Sequence, residues 1–207
     1  MKKGNLYIFS GPSGIGKDTV LKEVLKRDEN VVLSISSVTR DMREGEKQGE
    51  KYNFISLQEF KKLLENDELL EYNEYVGNFY GTPKAPVENW ISQGKNVVLE
   101  IDVNGALKVK EKMPDAVMIF MMPKSMDVLR QRLVKRGTET DETINKRLIQ
   151  AAKEIEFADK YDYVFFNDEL EDAVRDFLSI IRANALVNEN MKELYGKVIE
   201  DAKSFNW

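Results

Sequence analysis

The sequence has no cysteine and no histidine among its 207 residues. Without cysteine there are no disulfides and no thiolate nucleophile. Without both residue types, zinc loses its usual ligands, and a histidine acid or base is excluded. There is also no basic excess: 31 Lys and Arg stand against 36 Asp and Glu, a formal charge of -5. Polynucleotide partners generally require the opposite balance. Long apolar runs are missing as well. Leu6 to Phe9 is too short for the core of a secretory signal, and nothing approaches a membrane span. The expected location is therefore the cytoplasm, with no membrane partner. Phosphoryl transfer survives these exclusions, because it depends on positioning and charge more than on covalent help from side chains.

What is present is an ordinary globular composition, 42% hydrophobic and 32% charged, of a length suited to one α/β core with small insertions. Leu6–Ser10 is a buried-strand pattern, and a helix pattern starts near Lys17 with Val20, Leu21, Val24 and Leu25 on one side. Val31–Ser36 is a second strand. Residues 37–83 change character, with four glycines, many charges, strand-like pieces at 52–55 and 69–76, and a helix near 57–66. The core pattern then resumes with strands at 96–102, 116–122 and 163–166, helices between them, and one long helix from Leu170 to about Lys203. Alternating strands and helices predict a three-layer α/β fold with a mainly parallel sheet. The expected division is a core of residues 1–36, 84–124 and 156–207, an α+β insertion at 37–83, and a helical lid at 125–155.

The most informative segment joins the first strand to the first helix: Gly11, Pro12, Ser13, Gly14, Ile15, Gly16, Lys17, Asp18 and Thr19. This is a phosphate loop. Its glycines let backbone N–H groups surround phosphate oxygens, the helix N-terminus adds a favourable dipole, and Lys17 can reach the β- and γ-phosphates. One position departs from the pattern. Asp18 stands where a Ser or Thr hydroxyl normally ligates magnesium.

A phosphate loop indicates a nucleotide but not the acceptor. Arg40 and Arg43, three residues apart, follow the second strand, with Tyr52 and Tyr80 farther on. Two guanidinium groups and two phenols make a clamp for a phosphate dianion. Glu71 offers two acceptor oxygens that match the N1–H and 2-amino donors of guanine, and adenine has neither donor. Arg132 and Arg136 are four apart on one helix face, and Arg147 lies on the next helix. Such arginines can neutralise a transferring phosphoryl group as a lid closes. Glu100 and Asp102 end an apolar strand, where ligands of parallel sheets gather, and either carboxylate could organise Mg²⁺ through water. In the last helix, Ala173, Phe177, Ile180, Val187, Met191, Leu194 and Val198 resemble a heptad seam. The part before 182 is expected on the chain's own sheet. The part beyond Asn184 is expected to serve self-association into a homo-oligomer.

Taken together, these segments resemble the guanylate kinases, bacterial type, over nearly the whole chain. The loop Gly-Pro-Ser-Gly-x-Gly-Lys, the segment Ser-x-Ser-x-x-Thr-Arg-x-x-Arg ending at Arg43, and Tyr52-Asn53-Phe54 all fit. So do Tyr80-Gly81-Thr82, Glu100 to Gly105, and Arg136-Gly137-Thr138-Glu139. The resemblance implies transfer of the γ-phosphate of Mg-ATP to GMP or its deoxy form. It implies that Ser36, Glu71, Thr82 and Asp102 read guanine, and that Arg40, Arg43, Tyr52 and Tyr80 hold the GMP phosphate. Lys17, Arg132, Arg136 and Arg147 would act on the transferring group, and Asn167 would lie near adenine. Two other readings compete: a nonenzymatic protein-binding module of similar fold, and a P-loop kinase acting on another phosphorylated acceptor.

Overall fold

The computed structural model describes residues 3–75, 77–135 and 140–205. Strands β1 (Leu6–Ser10), β2 (Val31–Leu33), β7 (Asn96–Glu100), β8 (Val117–Met122) and β9 (Tyr163–Phe166) form a five-stranded sheet in the order β2-β7-β1-β8-β9. Every pairing in it is parallel. β1 is buried at all five positions, as expected for a central strand covered on both faces. Its alternation divides the core. Tyr7 and Phe9 pack with Val20 and Val24 of α1 (Lys17–Arg27) and with Phe177 of α7 (Leu170–Ala185). Leu6 and Ile8 face the opposite layer, with Val87 and Ile91 of α3 (Lys84–Ser92) and Val103, Ala106 and Val109 of α4 (Val103–Lys112). Phe177 meets the Phe9 ring edge-on at 5.0 Å. Truncating it to alanine would cost about 3–5 kcal/mol.

A second sheet holds β4 (Tyr52–Phe54), β3 (Ser36–Val38), β6 (Asn78–Pro83) and β5 (Leu69–Tyr75), in that order. Helix α2 (Leu57–Glu65) packs Phe60 beneath it, and Ser56 and Glu59 form a reciprocal capping box at its start. Two expectations change here. The strand expected at 31–36 is two strands in two sheets, parted at Ser34 and Ile35, so one apolar run serves both layers. Residues 78–83, expected only as a binding segment, form a full strand between β3 and β5.

Helices α5 (Met126–Lys135) and α6 (Asp141–Ile155) follow β8, and a short 3-10 turn, Glu156–Lys160, leads into β9. The Ser125 hydroxyl accepts from the Val128 N–H at 3.2 Å, at the start of α5. The expected single C-terminal helix is two, α7 and α8 (Asn188–Ser204). Val187 is extended, and Asn184 is drawn into other bonds: its amide donates to the Tyr7 hydroxyl and its carbonyl accepts from Asn190. The heptad seam is therefore interrupted. Ala173, Phe177 and Ile180 are buried in the core, whereas Val187 and Val198 are exposed. The Leu194 side chain lies outside the described residues.

Candidate active site

The phosphate loop joins β1 to α1 at the C-terminal edge of the parallel sheet. Gly14 has φ +89°, and a Cβ there would lie 2.5 Å from a Leu133 methyl of α5. Glycine is thus required twice, by the backbone conformation and by the helix seated on the loop. Lys17 Nζ donates to the Gly11 carbonyl at 2.6 Å. Burial pushes its pKa down, while the Glu100 and Asp18 carboxylates pull it back up.

The arginines expected to close over the transferring group rest on the same loop. Arg132 donates to the carbonyls of Ile15 at 2.9 Å and Asn167 at 2.7 Å. Arg147 donates to the Ser13 hydroxyl at 2.7 Å. Arg136, with Gly137, Thr138 and Glu139, lies outside the described residues. The buried Asn167 amide also donates to the Ile15 carbonyl, at 2.7 Å. Gly14, Ile15, Gly16, Thr19, Arg132 and Asn167 share a cavity of about 350 Å³. Backbone amides and one guanidinium at its mouth suit a polyphosphate with a planar base behind it.

On the acceptor side, Arg40 is held by a carboxylate, by two rings and by the Asp41 carbonyl, to which it donates at 2.9 Å. Its two terminal nitrogens fork onto Glu46 at 2.6 and 2.7 Å. Its guanidinium lies 5.2 Å from the ring centroids of both Tyr52 and Phe54. The Tyr80 ring stands edge-on to Tyr52 at 6.3 Å. Glu46 also accepts from the Arg43 N–H at 2.8 Å. The Arg40 hydrogen bonds, with that backbone bond, hold the Glu46 carboxyl down at about 2. The Arg43 side chain is exposed beside this group. Ser36 opens β3 directly opposite Tyr52.

Deeper in the cleft, the register of β5 on β6 sets Glu71 opposite Thr82. Thr82 Oγ1 donates to Glu71 Oε1 at 2.6 Å. Burial pushes the Glu71 pKa up, and the Thr82 bond offsets part of that. Gly105 of α4 makes room for it, because a Cβ there would lie 3.0 Å from Glu71 Oε2. Asp102 caps α4 by accepting from the Gly105 N–H at 2.8 Å, and its other oxygen accepts from Asn73 Nδ2 at 2.9 Å. The cleft lined by Asn73 and Asp102 continues to Ser13 and Arg147 in a space of about 720 Å³.

The described candidates gather around three spaces, each of which includes a residue of the phosphate loop: Gly14, Gly16, Arg132 and Asn167 line the first, Ser13, Asp102 and Arg147 the second, and Asp18, Tyr52 and Glu100 a third of about 360 Å³. Sequence reasoning assigned no role to Glu46, Asn73 or Lys51. Asn73 could have been found by counting two along β5 from Glu71, which places both side chains on one strand face. Glu46 carried no such signal, because its loop has no periodicity.

Magnesium can be tested against the residues present. Glu100 ends β7 with its carboxyl pushed up by burial and by the neighbouring Asp18 charge. Among the described residues no group of three or more acidic side chains is gathered tightly enough to cage a metal. Carboxylate oxygens flanking a phosphate loop nonetheless fit a hard cation that takes most of its ligands from water and phosphate.

The guanylate kinase family model matches residues 3–184. The chain belongs to the guanylate kinase family. It is 48% identical to the guanylate kinase of Halalkalibacterium halodurans over 96% of this chain and 98% of that one. It is 45% identical to that of Oceanobacillus iheyensis over 98% of both. The crystal structure of guanylate kinase from Anaplasma phagocytophilum superposes with a TM-score of 0.73 at 35% identity, covering 94% of this chain and 96% of that one. Nothing in these likenesses favours the binding-module reading or another acceptor.

Proposed function

We infer that this chain transfers the γ-phosphate of ATP to GMP, giving ADP and GDP. The observation that carries the reading is the pairing of a phosphate loop with a buried acceptor carboxylate, Glu71, on the second sheet, the two parts meeting at Asp18 and Lys51. The acceptor needs no general base, because a phosphate oxygen of GMP is already anionic, which agrees with the absence of histidine. That oxygen attacks the γ-phosphorus as the bond to the β,γ-bridging oxygen breaks, leaving the charge on ADP.

The roles proposed follow from placement. The loop Gly11–Thr19 and Lys17 bind the ATP phosphates, and Asn167 borders the adenine pocket. Arg40, Arg43, Tyr52 and Tyr80 hold the GMP phosphate. Glu71, assisted by Thr82, Ser36 and Asp102, reads guanine. Arg132, Arg136 and Arg147 offset charge on the three oxygens of the transferring group. Mg²⁺ would be held through water by Glu100 or Asp102 and would draw charge from the β- and γ-phosphates. Residues 37–83 act as the acceptor arm and 125–155 as the lid, against a core of 1–36, 84–124 and 156–207. Closure excludes water that would otherwise take the phosphate.

Among the described residues no helix is long and apolar enough to cross a membrane, and the site proposed for this reaction is the cytoplasm. The exposed Val198 and Ile199 on α8 support self-association through this helix. A purely monomeric mass at micromolar concentration would exclude it.

The reaction is tested by ADP release from Mg-ATP with GMP, AMP, CMP and UMP in turn, beside Lys17→Ala. Turnover with GMP alone, lost in the variant, supports the assignment. Folded protein that binds GMP without turnover would refute it.

A further inference from the structure

Asp18 follows Lys17 where a hydroxyl is usual, and its partner lies on the other side of the cleft. Lys51 Nζ, in the loop entering β4, donates to Asp18 Oδ1 at 2.5 Å, 33 residues away in sequence. Lys51 also lies 6.0 Å from the Tyr52 ring centroid, and Tyr52 is a wall of the Arg40 clamp. Glu100 completes the group, feeling the charges of Asp18, Lys17 and Lys51. Two ammonium groups, Lys17 and Lys51, thus face the carboxylates of Asp18 and Glu100, and the Glu154 charge also acts on Lys17. One side chain, Lys51, touches both the donor loop's helix and the acceptor clamp.

We propose that Lys51 is a positioning residue for phosphoryl transfer: it is the counter-ion that allows an aspartate in the phosphate loop, and it ties the acceptor sheet to the donor loop. The proposal rests on the reading of the cleft as a site for ATP and GMP. The physical case is one of charge. Remove Lys51, and Asp18 and Glu100 keep only Lys17 as a cation. The carboxylates then compete with the incoming phosphates for that ammonium, and the cluster carries a net negative charge where a polyanion must bind. The effect acts within a Debye length, so added salt should reduce it. It also acts through Asp18, so it should vanish when Asp18 is neutral. A merely structural lysine would show no such dependence.

A double-mutant cycle on the full chain tests this. Wild type, Lys51→Met, Asp18→Ser and the double variant are compared by calorimetric titration with ADP in the absence of metal, and by KM and kcat for ATP and GMP. Lys51→Met keeps the aliphatic stem and removes only the charge. It is expected to weaken metal-free ADP binding about 10-fold, a coupling of ordinary size. KM for ATP should rise by a similar factor, with kcat changed less than about 3-fold. In the Asp18→Ser background the same substitution should cost less than about 2-fold. An equal cost in both backgrounds, or no cost in either, overturns the proposal. If Lys51→Met does not fold, Lys51→Gln and Lys51→Arg decide the matter. ADP affinity kept by Arg and lost by Gln upholds the proposal, and equal affinity in the two overturns it. Failure of the wild type to phosphorylate GMP would count against the assigned reaction, whereas the metal-free ADP cycle judges Lys51 independently of turnover.

Discussion

The two ends of the cleft hold their cations differently. On the donor side, Lys17 rests on the Gly11 carbonyl, Arg132 on the carbonyls of Ile15 and Asn167, and Arg147 on the Ser13 hydroxyl. The acceptors in these bonds are neutral oxygens, although the Glu100, Glu154 and Asp18 carboxylates also act on Lys17 by charge. On the acceptor side, Arg40 is forked onto the Glu46 carboxylate. A cation leaves a neutral oxygen more readily than a carboxylate, because no opposite charge holds it there. On the proposed reading, Lys17 and Arg132 pass to a polyphosphate as it arrives. The acceptor side keeps a guanidinium forked onto a carboxylate and set beside two rings, to which, on the same reading, a phosphate must fit. The difference separates strength of attraction from selectivity of fit.

That contrast can be broken most severely at Lys17. Lys17→Ala should lower kcat by about 1,000-fold or more, measured by ADP release, since it removes charge stabilisation at the transferring group. Glu71→Gln comes next. Exchanging one acceptor oxygen for an amide donor should raise KM for GMP about 100-fold, as expected when a buried charged hydrogen bond is broken. The same variant should keep or raise the melting temperature. Burial raises the Glu71 pKa in the folded protein. Its contribution to stability is therefore greatest below the unfolded value and is lost as pH rises through the folded one, so at neutral pH the charge is a burden that glutamine lacks. By the same sign, KM for GMP in the wild type should rise as pH falls through that raised pKa.

Glu46→Gln should have a smaller effect, raising KM for GMP about 5-fold with kcat nearly unchanged, because Arg40 keeps its ring contacts but loses its fixed plane. Here the sign reverses. The Glu46 carboxyl is held at about 2, so its stabilisation is fully present above the ordinary carboxylate range and is lost as pH falls toward 2. Acid unfolding of the variant, followed by circular dichroism, should lack that part of the decline. The smallest effect is expected from ending the chain after Val187. Helix α8 adds little to the core, and kcat should stay within about 2-fold by the assay above.

The donor side was more legible in the sequence than the acceptor side, and for a physical reason. A phosphate loop is built from consecutive backbone groups, so nine adjacent residues, Gly11 to Thr19, carry it on the page. The acceptor clamp is built from side chains brought together by strand pairing. Glu71 meets Thr82 only because β5 and β6 are in that register. Glu46 meets Arg40 through a loop with no repeat to count. The strand 78–83 was missed because Asn, Gly, Thr and Pro resemble turn residues in isolation, and sheet pairing overrides that preference. The run Val31–Ser36 looked like one strand because burial continues across Ser34 and Ile35 while the backbone changes sheet. The long final helix was expected from periodicity alone, and the tie from Asn184 to Tyr7 was invisible to it.

The second sheet joins the first at only two places, the pair Ser34–Ile35 after β2 and the direct passage of β6 into α3. The strands at those places are neighbours, paired at Ser37 and Gly81. Elsewhere the two layers are held by side chains alone, among them Asn73 to Asp102 and Lys51 to Asp18, so the frame has two covalent pins and a set of breakable catches. Because the chain has no cysteine of its own, a pair placed at two exposed positions, Lys47 before β4 and Arg175 on α7, could carry two spectroscopic probes without competition, and their separation would report whether the catches release.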